Sequence, residues 1–188
     1  FLNVTNSSAQ HLYSDQHVGI DILQDPINPN SSFVDIGIKF KIEDGWHIYW
    51  KNPGDSGAAP AIKWSLPVGL GASAILWPTP KRFPVGHLTN YGYDKEVVFP
   101  ARLGFDQNTF LPATINVSIK WLVCQEDCVP GGTDITFEIT PEGNVGYNEL
   151  EEAKSFLPDP TLILNSKLNF EGETAKLFIK HSESDYRS

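Results

Sequence analysis

Methionine is absent from all 188 residues. A chain that starts at Phe1 and holds no Met reads as a processed or trimmed piece of a longer product. That leaves room outside it for an export signal upstream, a membrane anchor downstream, or both. No apolar run nears the ~20 residues that a membrane-crossing helix needs. Positive charge is scarce: 14 Lys and Arg stand against 23 Asp and Glu, a net charge of −9. With no Lys/Arg cluster, an acidic surface repels phosphate backbones, so nucleic acid is not an expected partner. The segment GLGASA (69–74) is no phosphate loop, because no Lys-Ser/Thr follows it and no βαβ pattern surrounds it. The segment NPGDSG offers Asp55 and Ser56 without a histidine fixed beside them, which argues against a serine hydrolase. Cysteine is scarcest of all after Met, with two residues, too few for a disulfide scaffold. At this length, with 40% apolar and 12% aromatic residues, a core alone can hold the fold.

What is present is turn punctuation and period-two alternation. Gly (15) and Pro (14) are plentiful, as in turn-rich β proteins. Val18, Ile20 and Ile22 alternate with polar or small residues. Val34 through Ile42, Ile115 through Val123, and Ile135 through Ile139 do the same. WHIYW (46–50), AIKWSLP and VVFPARL add shorter strands. Seven or eight strands between 15 and 140, with no helical period among them, predict an all-β, immunoglobulin-like sandwich. Trp46, Trp50, Trp64 and Trp121 are expected to pack in the core or on a sheet face. The stretch from Ala72 to Glu96, broken by Pro78, Pro80, Pro84, Gly86 and Gly92, reads as the longest irregular region. Residues 1–14 read as a loose start. After 140 the pattern changes. NVGYNELEEAKSFLPDP signals a helix, with Asn148 as cap, Glu151 as its capping-box partner and Pro158 as the stop. Two strands with a turn at Glu171-Gly172 follow. Residues 146–188 thus read as a linker helix and the start of a second β domain.

Cys124 and Cys128 sit in KWLVCQEDCVPGG (120–132). Residues four apart on an extended strand are about 13 Å apart, whereas a disulfide needs Cα atoms within about 7 Å. If the two bond, the chain must turn back. The geometry that suits the flanking strands is a hairpin with Gln125, Glu126 and Asp127 at its tip and a bulge near Pro130-Gly131-Gly132. Three uses remain open. A structural staple closing so short a loop contributes about 2 kcal/mol or less. A metal site needs further ligands, with His47 and His87 among the candidates, and two thiolates alone suffice for Cu(I). A redox pair needs access for a partner. Glu126 and Asp127 beside the cysteines disfavour a thiolate.

Four segments together carry a resemblance: DGWHIYWKNPGDSGAAPAIKW (44–64), WPTPKRF (77–83), NYGYDKEVVFPARL (90–103) and IKWLVCQEDCVPG (119–131). With the strands around them, over roughly 15–140, the chain resembles the periplasmic N-terminal domain of the DsbD family of thiol:disulfide interchange proteins, in particular its ScsB-like branch. The resemblance implies a domain of a protein anchored in the bacterial inner membrane. It implies electrons arriving from a transmembrane domain through a thioredoxin-like domain of the same protein. They would pass on to periplasmic thioredoxin-fold partners: disulfide isomerases, thiol reductants or copper-tolerance proteins. Cys124 and Cys128 would be the working pair, Cys128 forming mixed disulfides and Cys124 resolving them, with no bound cofactor and no metal. A cap loop would shield the disulfide at HLTNYGY (87–93), drawing on Leu88, Asn90, Tyr91 and Gly92, with Tyr91 the aromatic over the sulfurs and Gly86 and Gly92 as hinges. The three-residue cysteine spacing is shorter than in the best-known members. Two alternatives from other classes are a secreted interaction module with an inert disulfide and a Cu(I)-binding copper-tolerance module.

Overall fold

The computed structural model describes residues 11–15, 17–106, 109, 111–144, 146–158, 165–171 and 174–180. Two antiparallel sheets pack face to face, as the alternation predicts. The strands are β1 (His11–Asp15), β2 (Val18–Gln24), β3 (Phe33–Ile42), β4 (His47–Gly54), β5 (Ala61–Ser65), β6 (Leu70–Ala72), β7 (Lys81–Val85), β8 (Leu88–Asp94), β9 (Glu96–Phe105), β10 (Ala113–Cys124) and β11 (Cys128–Ile139). One sheet has the order β1-β2-β3-β9-β6, and the other β11-β10-β4-β8-β7, with β5 also paired to β10. Ile20, Ile36, Ile38, Phe40, Phe99 and Leu103 from the first sheet meet Ile48, Ile115, Ile119 and Val123 from the second, all buried. Burying one such side chain stabilises the fold by about 1.5–3 kcal/mol, so the alternating faces settle which way each strand points. Trp121 is in this core, and Trp46, Trp50 and Trp64 pack against its margin, where aromatics were expected.

The sequence expectations need correcting in four places. The expected loose start extends beyond what is found: residues 1–10 lie outside the described residues, but His11–Asp15 pair with β2. The supposedly irregular region contains the hairpin β7–β8. Pro84 fits there because β7 is an edge strand, where a missing N–H breaks no ladder. Together with the three-residue β6, this raises the strands within 15–140 to ten, β2 to β11, among the described residues. No bulge interrupts β10–β11, whose register runs unbroken from Ala113↔Ile139 to Cys124↔Cys128. Gly131 lies opposite Trp121, and a Cβ there would come within 2.5 Å of the indole, so this glycine makes room for a ring. The helix α1 (Tyr147–Ser155) has Gly146 at its N-cap, without a side-chain cap. Asn148 therefore lies inside the first turn. The nearby side chain that serves backbone N–H groups is Asn144, whose Oδ1 accepts from Gly146 and from Gln24.

α1 belongs to the first of two compact units, which divide at Leu157/Pro158. It docks by burying Leu150 and Ala153 and by pairing charges. Lys154 Nζ meets Asp25 at 2.8 Å and Asp35 at 3.0 Å, and Lys39 meets Glu149 at 2.7 Å. In the second unit, β12 (Asn165–Glu171) and β13 (Thr174–Lys180) pair antiparallel, with Glu171 opposite Thr174. This is the strand pair expected from the sequence; its turn lies outside the described residues. No helix among the described residues is long and apolar enough to cross a membrane.

Candidate redox site

The two cysteines form a disulfide, with Cα atoms 4.1 Å apart. They are directly paired residues at the end of the β10–β11 ladder, and Gln125–Asp127 make the turn, with the Gln125 N–H donating to Asp127 O at 3.1 Å. The hairpin expected from the flanking alternation is therefore present. Its two cysteines differ sharply in surroundings. Cys124 is 2% exposed, whereas Cys128 and the three turn residues are exposed.

The difference arises from β4. It lies against the end of β10, with His47 directly across from Cys124 and Ile48 across from Val123. Paired residues share a sheet face. Ile48 and Val123 therefore point into the core, while His47, Cys124 and, two residues along, Tyr49 share the opposite face. The Tyr49 hydroxyl donates to Cys124 Sγ at 3.0 Å and lies 3.8 Å from Cys128 Sγ. Tyr49 is 2% exposed, and burial pushes its phenol above the ordinary value of 10.0, so it is a protonated donor throughout the physiological range. His47 is also buried. Its ring stacks on Phe83 at 4.7 Å and meets Tyr49 edge-on at 5.2 Å. Burial lowers its pKa from 6.5, against the opposing pull of Asp94.

The loop after β4 holds Tyr49 in place. A Cβ at Gly57, where φ is +91°, would fall 2.2 Å from the Tyr49 ring, so the backbone lies directly on the aromatic face and only glycine fits there. The same loop is tied to β8. Asp55 Oδ2 accepts from the Thr89 N–H at 2.7 Å, and Asn90 Oδ1 accepts from the Ser56 N–H and hydroxyl, each at 3.1 Å. NPGDSG thus acts as a bracket between the ring at the sulfurs and the β7–β8 hairpin.

The four residues expected to form a cap lie on that hairpin. Leu88 is half-buried, Asn90 is 2% exposed, and Gly92 is buried opposite Tyr49. Tyr91 is 38% exposed. It alternates with Asn90 and Gly92 and so lies on the other face of the strand. The aromatic in contact with the sulfurs is Tyr49, and the hairpin ring over the neighbouring His47 is Phe83. Sequence reading passed over both. The available signal was Tyr49's position two residues from His47 on the face away from Ile48. Gly86 forms the hairpin turn, at φ +60°. His47 lies beside the pair, but among the described residues no group of three or more His, Cys, Asp or Glu has the geometry to hold a metal ion.

A family model of the N-terminal part of the thiol:disulfide interchange protein DsbD matches residues 24–140. The chain belongs to the DsbD N-terminal domain family. The disulfide lies inside the matched region, and thiol–disulfide exchange in general is the chemistry that this DsbD-type domain supports. Among solved structures, the N-terminal periplasmic domain of ScsB from Proteus mirabilis matches with a TM-score of 0.72. The match covers 98% of this chain and 73% of that one at 22% identity, which establishes a common fold. The reduced N-terminal domain of Neisseria meningitidis DsbD is 17% identical, with a TM-score of 0.32 over 62% of this chain and 91% of that one. The GAE domain of GGA2p from Saccharomyces cerevisiae is 9% identical, with a TM-score of 0.42 over 70% of this chain and 96% of that one. Neither is close enough to bear on function. No curated protein matches the chain.

Proposed function

We propose that this domain carries reducing equivalents through Cys124 and Cys128 to thioredoxin-fold proteins of the bacterial periplasm. The observation that carries the reading is the asymmetry of the pair: an exposed Cys128 beside a buried Cys124 whose sulfur already accepts a hydrogen bond. A staple has no use for that asymmetry. An exchange site does, because one sulfur must meet partners and the other must stay behind.

In the delivery step, the Cys128 thiolate attacks a sulfur of the partner's disulfide. The partner's S–S bond breaks, one of its cysteines leaves as thiolate, and Cys128 holds the other in a mixed disulfide. Cys124 then attacks Cys128 Sγ, the bond to the partner breaks, and the electron pair departs on the partner's sulfur. The partner is reduced by two electrons and Cys124–Cys128 is oxidised. Recharging runs the same exchange with a reduced thioredoxin-like domain as donor, fed by a transmembrane domain of the same protein. The chemistry needs no bound cofactor.

The hairpin carrying Leu88, Asn90, Tyr91 and Gly92 is the cap in this reading, supported by its bracket to the loop on Tyr49. Residues 15–145 are the redox domain, and 146–188 lead into a second β domain, a reading supported by the β12–β13 pair.

Equilibration with glutathione followed by thiol alkylation tests the function. A potential of about −200 to −270 mV fits a working relay, and one below about −300 mV marks a bond built to stay closed. Cys124→Ser should accumulate mixed disulfides through Cys128, and its failure to trap any thioredoxin-fold protein from a periplasmic extract would count against the relay.

A further inference from the structure

Three buried side-chain atoms among the described residues lack a hydrogen-bond partner: Asp25 Oδ1, Trp50 Nε1 and His47 Nε2. The first belongs to the α1 docking network, and the second lies at the core margin. The third is beside the disulfide. A buried polar atom without a partner is costly and calls for a reason.

Resting on the exchange reading above, we infer that His47 is the proton acceptor for Cys124 when this cysteine resolves a mixed disulfide. Geometry carries the inference. His47 is directly across from Cys124, on the same sheet face. Phe83 and Tyr49 pack around its ring and keep it 6% exposed. Cys124 is itself 2% exposed, so bulk water is a poor base for it, and burial disfavours its thiolate. The Tyr49 hydroxyl, already a donor to the sulfur, can stabilise the thiolate but does not remove the proton.

The other charged groups near His47 leave that role to it. From β8, Asp94 is paired with His47, but its carboxylate is engaged by Lys81 of β7. From β4 itself, Tyr49 holds its proton. Burial keeps the imidazole neutral at neutral pH, with Asp94 opposing; in the disulfide form Nε2 bonds to no group, Cys124 Sγ included, so the step requires the freed Cys124 thiol of the reduced form to turn towards the ring. In the step, Nε2 takes the Cys124 S–H proton and the resulting thiolate attacks Cys128 Sγ. The bond from Cys128 to the partner's sulfur breaks, and the electron pair leaves with that sulfur. The imidazolium then returns its proton to solvent.

Rapid mixing of the reduced protein with 5,5′-dithiobis(2-nitrobenzoate) tests this without a protein partner. The first thionitrobenzoate released reports attack by Cys128, and the second reports resolution by Cys124; Cys124→Ser provides the trace lacking the second phase. The second-phase rate of the native protein is expected to bend below the ordinary imidazole value of 6.5, because burial lowers the His47 pKa. In His47→Gln and His47→Phe it should fall by about tenfold or more at pH 6.5 and rise only towards the thiol range near pH 8.5. A native pH profile in either variant overturns the inference and leaves the exchange reading standing. Release of only one thionitrobenzoate per native protein overturns both. If neither variant folds, the decision rests on the native protein's His47 imidazole resonances. A titration midpoint that moves between the oxidised and reduced forms supports the inference, and an identical midpoint refutes it.

Discussion

Replacing Tyr49 with Phe removes one atom, the hydroxyl that donates to Cys124 Sγ at 3.0 Å. The ring remains clamped under Gly57, so the fold should lose about 1 kcal/mol or less. When an incoming thiolate attacks the exposed Cys128, Cys124 is the leaving group and its sulfur gathers negative charge. A hydrogen bond to a charged acceptor contributes about 1.5–3 kcal/mol, against about 1 for a neutral one. The neutral bond already stabilises the ground state, so with roughly half the charge developed at the transition state the barrier should rise by half the difference, about 0.25–1 kcal/mol. That slows reduction of the disulfide by about 1.5- to 5-fold. The assay is the second-order rate of reduction by dithiothreitol, with Tyr49→Leu as the control that also removes the ring. Because the phenol is shifted above 10.0, the ratio of native to variant rates should stay flat from pH 6 to 9. A Tyr49→Phe rate within 1.5-fold of native would refute the hydroxyl's role. A Tyr49→Phe rate faster than native would show that Tyr49 acts as a shield and not as a donor.

Other expectations follow from the same contacts. Asn90→Ala removes the acceptor of two bonds from Ser56; a bracket loosened by about 1 kcal/mol should speed reduction by glutathione about fivefold, and an unchanged rate with a lower Tm would leave Asn90 a purely structural part. For the oxidised domain, burial holds the His47 pKa below its ordinary value of 6.5. The unfolded chain therefore binds more protons as pH falls through and below 6.5, and stability is lost in that window. His47→Phe should flatten this part of the Tm–pH curve, and a curve parallel to native would contradict the assignment. Lys154→Met removes the ammonium shared by Asp25 and Asp35 under α1, leaving Asp35 with Arg102. This should cost about 1–2 kcal/mol, read as a drop in Tm of a few degrees, with the disulfide's reduction rate unchanged because α1 docks on β2 and β9 and not on the cysteine hairpin.

The parts legible in the sequence share a physical character: each is set by neighbours along the chain. Alternation from Ile115 to Val123 and from Ile135 to Ile139 fixes two strand faces. Two bonded cysteines between them can only close a hairpin, and so Cys124 fell opposite Cys128. What was missed depends on pairing between distant strands. In WHIYW the aromatics read as sheet-face packing, and nothing local says that β4 lies against the far end of β10, which is what brings His47 and Tyr49 to Cys124. NPGDSG reads as a loop because its glycines permit any turn; that Gly57 lies on a tyrosine ring is a tertiary fact. The hairpin at 81–94 was hidden by Pro84, which a central strand would reject and an edge strand accepts. One signal was nonetheless available. His47 and Tyr49 flank Ile48, so if Ile48 faces the core, two polar rings face away from it. A strand that turns such rings outward, yet keeps both buried, requires something to cover them. The segments free to do so are loops and edge strands, because the central strands are committed to the two sheets. The Pro/Gly-rich stretches on either side of β5 are therefore where a cover for these two rings should be sought, and here they supply it as Gly57 over Tyr49 and Phe83 over His47.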